Sequence, residues 1–227
     1  VDKMVNQHHF DGQQIQSVLQ AAEMRADILK KISSPAEGLS WYKYRKIFMT
    51  DKRIDGGVEF WKSNAAALTA VSKRYNVPEE IIIAIIGVET QYGVNVGTYR
   101  VVDALATLGF GFPKRSDFFL SELENFLILC REEHLDPLKP VGSYAGAMGL
   151  PQFMPSSFRN FAVDFEQDQA RDIWHNPADA IASVANYFAK HQWQNGEAVF
   201  IPAVATDDTY KNALSSKLEP DLTVLDL

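Results

Sequence analysis

Apolar positions recur every three to four residues along most of this chain. Between positions 11 and 32, Ile15, Val18, Leu19, Ala22, Ala26 and Leu29 keep helical spacing, which predicts one amphipathic helix. Asp11 with Gln14 three residues on forms a capping-box start, and Ser33, Ser34 and Pro35 form the stop. A second helical pattern runs through Phe60, Trp61, Leu68, Val71 and Tyr75 and ends at Asn76, while WYKYRKIFMTDKRIDGG before it reads as an aromatic-rich loop or short helix. Two further helices are predicted over 116–134 and from Pro177 to about Asn195, the latter with Asn176 as its cap. Only GEAVFIPAVA, 196–205, offers a plausible strand, and the chain has no internal repeat and no βαβ alternation. The predicted class is mainly α.

One segment sets propensity against context. IIIAIIGVETQYG places Ile81, Ile82, Ile83, Ile85, Ile86 and Val88 directly before Glu89, a pattern that suits a buried strand. Pro78 followed by Glu79 and Glu80 is instead a helix start, with acids facing the positive pole of the dipole. The prediction is a helix over 78–91, apolar nearly all round, hence the central and fully packed one. Glu89 then sits in its last turn.

Composition narrows the possible functions. With 227 residues and 46% hydrophobic content, the chain can build a full core. Its net charge of −7 comes with no clustered Lys and Arg footprint, which argues against a nucleic-acid partner. No apolar run approaches the roughly 20 residues needed to span a bilayer, and VDKMVNQHHFDG lacks a secretory pattern, so any export signal or lipid anchor is expected to have been removed. Cys130 lies in the apolar LILCREE and reads as a buried bystander. None of the five histidines has zinc-ligand spacing, and neither a metal nor any other cofactor is expected.

A carboxyl buried at a helix carboxyl end loses hydration and faces the negative pole, and both effects favour its neutral form. Glycosidic cleavage needs such an acid to protonate the leaving oxygen. Taken alone, Glu89 reads more readily as a helix-end glutamate bonded to a neighbour. SYAGAMGLPQFMPSS, 143–157, adds weight. Gly142, Gly146 and Gly149 allow close backbone approach, Ser143 and Gln152 suit hydroxyls and acetamido groups, and Met148, Phe153 and Met154 offer soft apolar surface to sugar faces. Without Glu89, the loop would read as a tight connection packed by its own side chains.

Together ETQYG, the preceding IIIAIIGV, DALATLGF, FFLSELENFLILCREE, SYAGAMGLPQFMPSS and DAIASVANYF resemble the B-type lytic transglycosylases, bacterial murein-cleaving enzymes with a lysozyme-like core. The likeness runs from about Phe10 to Ala205. It implies an amino-terminal helical lobe over 1–76, a catalytic core over 77–205 and a tail over 206–227. It implies Glu89 as the only catalytic carboxylate, with Ser143 and Gln152 holding the muramic acid moiety, Tyr44 and Tyr92 beside the cleft, and Arg115 lining the groove. Lys114 stands where the family has a first arginine, which keeps the charge and loses the bidentate fork. The family's carboxyl-terminal Tyr-Asn pair has no counterpart before Leu227.

The implied reaction cleaves the bond between N-acetylmuramic acid and N-acetylglucosamine without water and leaves a 1,6-anhydro end. A hydrolytic muramidase and a non-catalytic glycan-binding scaffold are the alternatives. The resemblance also implies glycan strands as the partner, envelope synthases as neighbours and a monomer in the periplasm, with outer-membrane anchoring through a lipid-modified amino terminus outside this chain compatible with it. Asp164, Glu166, Asp168 and Asp179 sit near a calcium-loop spacing, but Gln169 and His175 occupy the positions that need Gly and a bidentate Glu. The segment reads as an acidic solvated turn.

Overall fold

The computed structural model describes residues 1–33, 39–202, 204, 207–214 and 222–223. Val1–Asn195 forms one compact unit and Gly196–Leu227 another, in which the described residues carry one 3-10 turn, Thr209–Ala213. The described residues of the predicted strand, 196–202 and 204, are not extended in a sheet, while Ala203 and Ala205 lie outside the described residues. So do Ser34 and Pro35 of the predicted helix stop.

The first unit is mainly α. Its helices are α1 (Asp2–His8), α2 (Gly12–Ala21), α3 (Ala26–Ile32), α4 (Trp41–Phe48), α5 (Asp51–Ser63), α6 (Ala65–Tyr75), α7 (Glu79–Thr90), α8 (Val101–Gly111), α9 (Ser116–Glu132), α10 (Pro155–Phe161) and α11 (Pro177–Lys190). The two short strands β1 (Tyr99–Arg100) and β2 (Val141–Gly142) pair antiparallel, Tyr99 opposite Gly142 and Arg100 opposite Val141. Two buried clusters result. One gathers side chains from α1, α2, α3, α8, α9 and α10, and the other joins α6 and α7 to α11 through Leu68, Val71, Ile82, Ile86, Ile181 and Val184. Of residues 1–76, Met4, Ile15, Val18 and Ile28 join the first cluster and Leu68 and Val71 the second.

Several local expectations change for identifiable reasons. The helix predicted over 11–32 starts as expected, with the Asp11 carboxylate accepting from the N–H groups of Gln13 and Gln14 at 2.8 and 2.9 Å. It breaks after Ala21 because α8 captures the backbone there: Glu23 N–H donates to Asp103 at 2.9 Å, and Arg25 N–H to the Thr107 hydroxyl at 3.0 Å. Tertiary partners outweigh continuous helical propensity at that point. The second pattern divides at Asn64, whose side-chain amide donates to the Phe60 carbonyl at 2.8 Å and competes with the helical ladder. Asn76 ends α6 in the left-handed region, φ 56°, as expected.

The central packed helix is α8, not α7. Every residue from Val101 to Gly109 is buried, whereas α7 buries Ile82, Ile83 and Ile86 and leaves Ala84, Val88 and Glu89 exposed. Small residues let α8 approach α9 closely: a Cβ on Gly109 would lie 2.8 Å from Leu120. Cys130 is 1% exposed and its thiol is pushed up to about 12 by desolvation, which makes it inert.

Candidate active site

Glu89 occupies the last turn of α7, where the helix turns an open face to solvent. Although its side chain is accessible, the surrounding protein desolvates the carboxyl enough to raise its pKa above 4.5, with no opposing cause. No hydrogen bond or ion pair holds it among the described residues, so it is not the helix-end glutamate tied to a neighbour. The expected dipole contribution has a counterweight, because Arg53 on α5 donates Nη1 to the carbonyls of Gly87 and Val88 at 3.0 and 3.3 Å. A guanidinium at the carboxyl end offsets the negative pole.

The turn after Glu89 is heavily constrained. Gln91, Tyr92 and Gly93 all have positive φ, at 51°, 60° and 90°. Gln91 N–H reaches the Gly87 carbonyl at 3.2 Å and Tyr92 N–H the Ile86 carbonyl at 3.3 Å, closing the helix with a left-handed cap. Two non-glycine residues in the left-handed region cost energy and persist only where surroundings over-determine them. Thr90 supplies much of that constraint. Its hydroxyl accepts from Gly93 N–H at 3.1 Å and donates to the carbonyls of Leu150 and Ile86, at 3.0 and 3.2 Å.

Tyr92 supplies the rest. A Cβ on Gly57 or on Gly87 would fall 2.5 Å from the Tyr92 hydroxyl oxygen, so the ring fills a slot that only glycines leave open between α5 and α7. Phe60 packs on it at 5.5 Å between centroids. Tyr92, partly buried, therefore wedges the turn. Its neighbours were not singled out from sequence, although the Gly56-Gly57 pair opposite Gly87 was a readable signal.

The Gly-rich segment is sewn to this turn. Beyond the Thr90 bond to Leu150, the Gln152 side-chain amide donates to the carbonyls of Val96 and Gly149 at 3.2 and 2.9 Å. Gly97 lies so close that an added Cβ would sit 2.0 Å from the Gly142 carbonyl oxygen. Ser143 and Gln152 are consequently held on a segment fastened to the residues following Glu89. Ser143 Oγ accepts from Ala145 N–H and Ala147 N–H at 3.2 and 3.1 Å, leaving its own hydrogen to donate. Gln152 uses its N–H groups internally and keeps its carbonyl oxygen as a free acceptor.

Met148 and Phe153 are corrections. Met148 is fully buried and Phe153 is 8% exposed, both within the cluster around α8 and α9. They anchor the loop and present no face to a sugar. Leu150, between them in sequence, belongs to the other cluster. The loop thus clips the two cores together.

Tyr44 lies on α4, a helix with no buried residue, and packs against Phe48 at 5.0 Å. Arg53 sits over Phe48 at 5.0 Å, so one guanidinium links the α4 aromatics to the Glu89 turn. Trp41 and Tyr42 beside it are 72% and 60% exposed. Arg115 is exposed and rests over Phe118 at 4.4 Å. Lys114 is exposed next to it.

In the acidic turn, Asp164 accepts from Asp168 N–H and Gln169 N–H at 3.1 and 2.8 Å, and Glu166 from Asn176 at 3.0 Å. Asp168 accepts from Ala170 N–H at 3.0 Å, and buried Asp179 from Phe165 N–H and Asp172 N–H at 2.8 and 2.9 Å. Among the described residues no three His, Cys, Asp or Glu side chains cluster as a metal site.

The family model described as the transglycosylase SLT domain matches residues 1–223. The chain belongs to that family. This SLT domain is 44% identical to the membrane-bound lytic murein transglycosylase B of Escherichia coli (strain K12) over 227 residues, 96% of the chain and 63% of the relative. It thus spans less than two thirds of that relative's length. Catenated lytic transglycosylase SltB1 from Pseudomonas aeruginosa superposes with a TM-score of 0.89 at 50% identity, covering 94% of the chain and 70% of SltB1. SltB3 from the same organism, solved with NAG-NAM-pentapeptide, superposes with a TM-score of 0.75 at 30% identity, over 84% and 51%. The mainly α, lysozyme-like class expected for the SLT domain is the one it has. Among the described residues no helix is long and apolar enough to cross a membrane.

Proposed function

We propose that the chain is the catalytic portion of a lytic transglycosylase acting on peptidoglycan in the periplasm, with Glu89 as its single acid and base. The observation that carries this is a solvent-reachable carboxyl with a desolvation-raised pKa, free of partners, on a turn fastened to the Ser143–Gln152 segment. The names and ligand of the relatives, murein and NAG-NAM-pentapeptide, indicate the substrate class.

The reaction follows from the groups present. Neutral Glu89 donates its proton to the glycosidic oxygen between N-acetylmuramic acid and N-acetylglucosamine as the C1–O bond breaks. The muramoyl acetamido oxygen closes on C1 as an oxazolinium ion, which takes the place of a second carboxylate. Glu89, now ionised, accepts the proton of the C6 hydroxyl. That oxygen bonds to C1 and opens the oxazolinium ring. A 1,6-anhydromuramoyl end and a free N-acetylglucosamine 4-hydroxyl result, and no water is consumed. Ser143, with a hydrogen to give, and Gln152, with an oxygen to receive, match an acetamido carbonyl and an N–H or hydroxyl. Trp41 and Tyr44, 6.4 Å apart between ring centroids, offer aromatic surface to sugar faces, and the exposed Lys114 and Arg115 can meet stem-peptide carboxylates.

The test is the mass of the soluble products released from purified sacculi. Anhydro products, lighter by one water than reducing muropeptides, are expected. Reducing ends throughout would assign a hydrolytic muramidase, and binding without any product would assign a glycan-binding scaffold.

A further inference from the structure

A concavity beside β2 is lined by none of Glu89, Ser143 and Gln152. It encloses about 390 Å³, the scale of a small-molecule site. Trp174, Pro140 and Val141 form an apolar wall, and Asp136, Lys139 and His175 stand at the rim. The side chains of Lys139 and His175 are 82% and 87% exposed. An indole wall with both acceptors and donors around it suits an uncharged ring that is apolar on its face and hydroxylated at its edge. The charged groups of the lining already face one another, Arg171 on Glu133 at 2.8 Å and Lys139 on Asp136 at 4.0 Å, so neither an anion nor a cation meets an unmatched charge, and a purely apolar ligand would cover those paired charges.

The walls are the supports of the candidate active site. Trp174 donates Nε1 to the Val141 carbonyl at 3.2 Å, and Val141 lies two residues before Ser143. The neighbouring Ile173 carbonyl accepts from Leu150 N–H at 2.9 Å, and the Leu150 carbonyl accepts from Thr90, the residue after Glu89. A ligand seated on Trp174 therefore presses on the two segments that hold Ser143 and Leu150.

We propose that this pocket is a second saccharide site, taking a neutral N-acetylated amino sugar from a glycan strand other than the one in the Glu89 groove. The proposal rests on the glycan reading above. A polymeric substrate explains the need: a second hold raises effective concentration without any new chemistry.

The experiment uses tetra-N-acetylchitotetraose as the probe and the Glu89→Gln chain, labelled at tryptophan indole ¹⁵N, in an NMR titration. The indole signal of Trp174 is expected to move along its own isotherm, distinct from that of Trp41 beside the groove. Ala170→Arg, which fills the pocket from an exposed position of its lining, is expected to weaken the Trp174 isotherm at least tenfold and leave the Trp41 isotherm and the melting temperature in place. A second variant, Lys139→Glu with Asp136→Ala, alters only the rim and is expected to weaken the same isotherm severalfold. If Trp41 responds while Trp174 stays still, the second site is refuted and the groove stands. If Trp174 moves equally in Ala170→Arg, its shift is transmitted from the groove and the site is refuted again. If no indole responds, both the second site and the glycan reading fall.

Discussion

Thr90→Val tests whether the Glu89 turn depends on one hydroxyl. The substitution preserves shape and removes only the polar atom. In the structure that atom is the partner of the Leu150 carbonyl and of Gly93 N–H, at 3.0 and 3.1 Å, whereas the Ile86 carbonyl keeps Tyr92 N–H. Thr90 is 1% exposed and Leu150 6%, so water cannot easily replace the lost contacts. A buried group left without a partner costs about 1–3 kcal/mol, and Gly93, only partly buried, sits at the low end. Two such groups give roughly 2–4 kcal/mol. For a unit of this size each kcal/mol lowers the melting temperature by about 2–4 °C, so a fall of roughly 5–15 °C is expected. Thr90→Ser keeps the hydroxyl and should lose about 1 kcal/mol for its methyl. Thermal unfolding followed by circular dichroism reads both. A Thr90→Val chain melting within about 2 °C of the parent would show that the turn holds itself, and the over-determined geometry around Glu89 would have to be abandoned.

Glu89→Gln should raise the melting temperature at pH 7. A folded pKa above 4.5 means the unfolded chain ionises first as pH rises, so the parent loses stability through that window and the variant does not. The difference should shrink at pH 4, and melts at the two values check it. Gly87→Ala should cost about 1–3 kcal/mol by driving a Cβ into the Tyr92 hydroxyl. In a double-mutant cycle with Tyr92→Ala the costs should fall short of their sum, and strict additivity would place Tyr92 elsewhere. Arg53→Met should lower kcat several-fold with a smaller change in KM and about 1 kcal/mol of stability, since it frees the Gly87 and Val88 carbonyls. Arg53→Lys should recover part of the rate, and equal kcat in all three chains would remove Arg53 from any positioning role.

Periodicity made the mainly α class legible, and caps located α2, α6 and α11 to within a few residues at their capped ends, because Asp11, Asn76 and Asn176 act through local bonds. The breaks after Ala21 and at Asn64 were harder. The first is made by Asp103 and Thr107, some eighty residues away, and no local pattern carries such partners. The isoleucine run also misplaced the central helix. α7 carries the larger apolar side chains, yet α8 is buried on all sides because its small residues let neighbours close around it. Glu89 stood out as an acid among isoleucines. Met148 and Phe153 misled because apolar residues in a Gly-rich loop serve equally well as sugar platforms or as anchors, and only packing separates the two. The Gly56-Gly57 pair and Gly87 were legible as gaps, but that Tyr92 fills them and that Arg53 reaches the α7 carbonyls depends on α5 meeting α7, which no local pattern specifies.

The most direct measurement is turnover of purified sacculi by the parent chain and by Glu89→Gln, alongside sedimentation binding to the same sacculi. Loss of a general acid alone removes about 10²–10⁴-fold of rate. Release of anhydromuropeptides should fall by at least that much in the variant, with binding retained. Substantial release by Glu89→Gln would contradict the assignment of both proton transfers to this carboxyl.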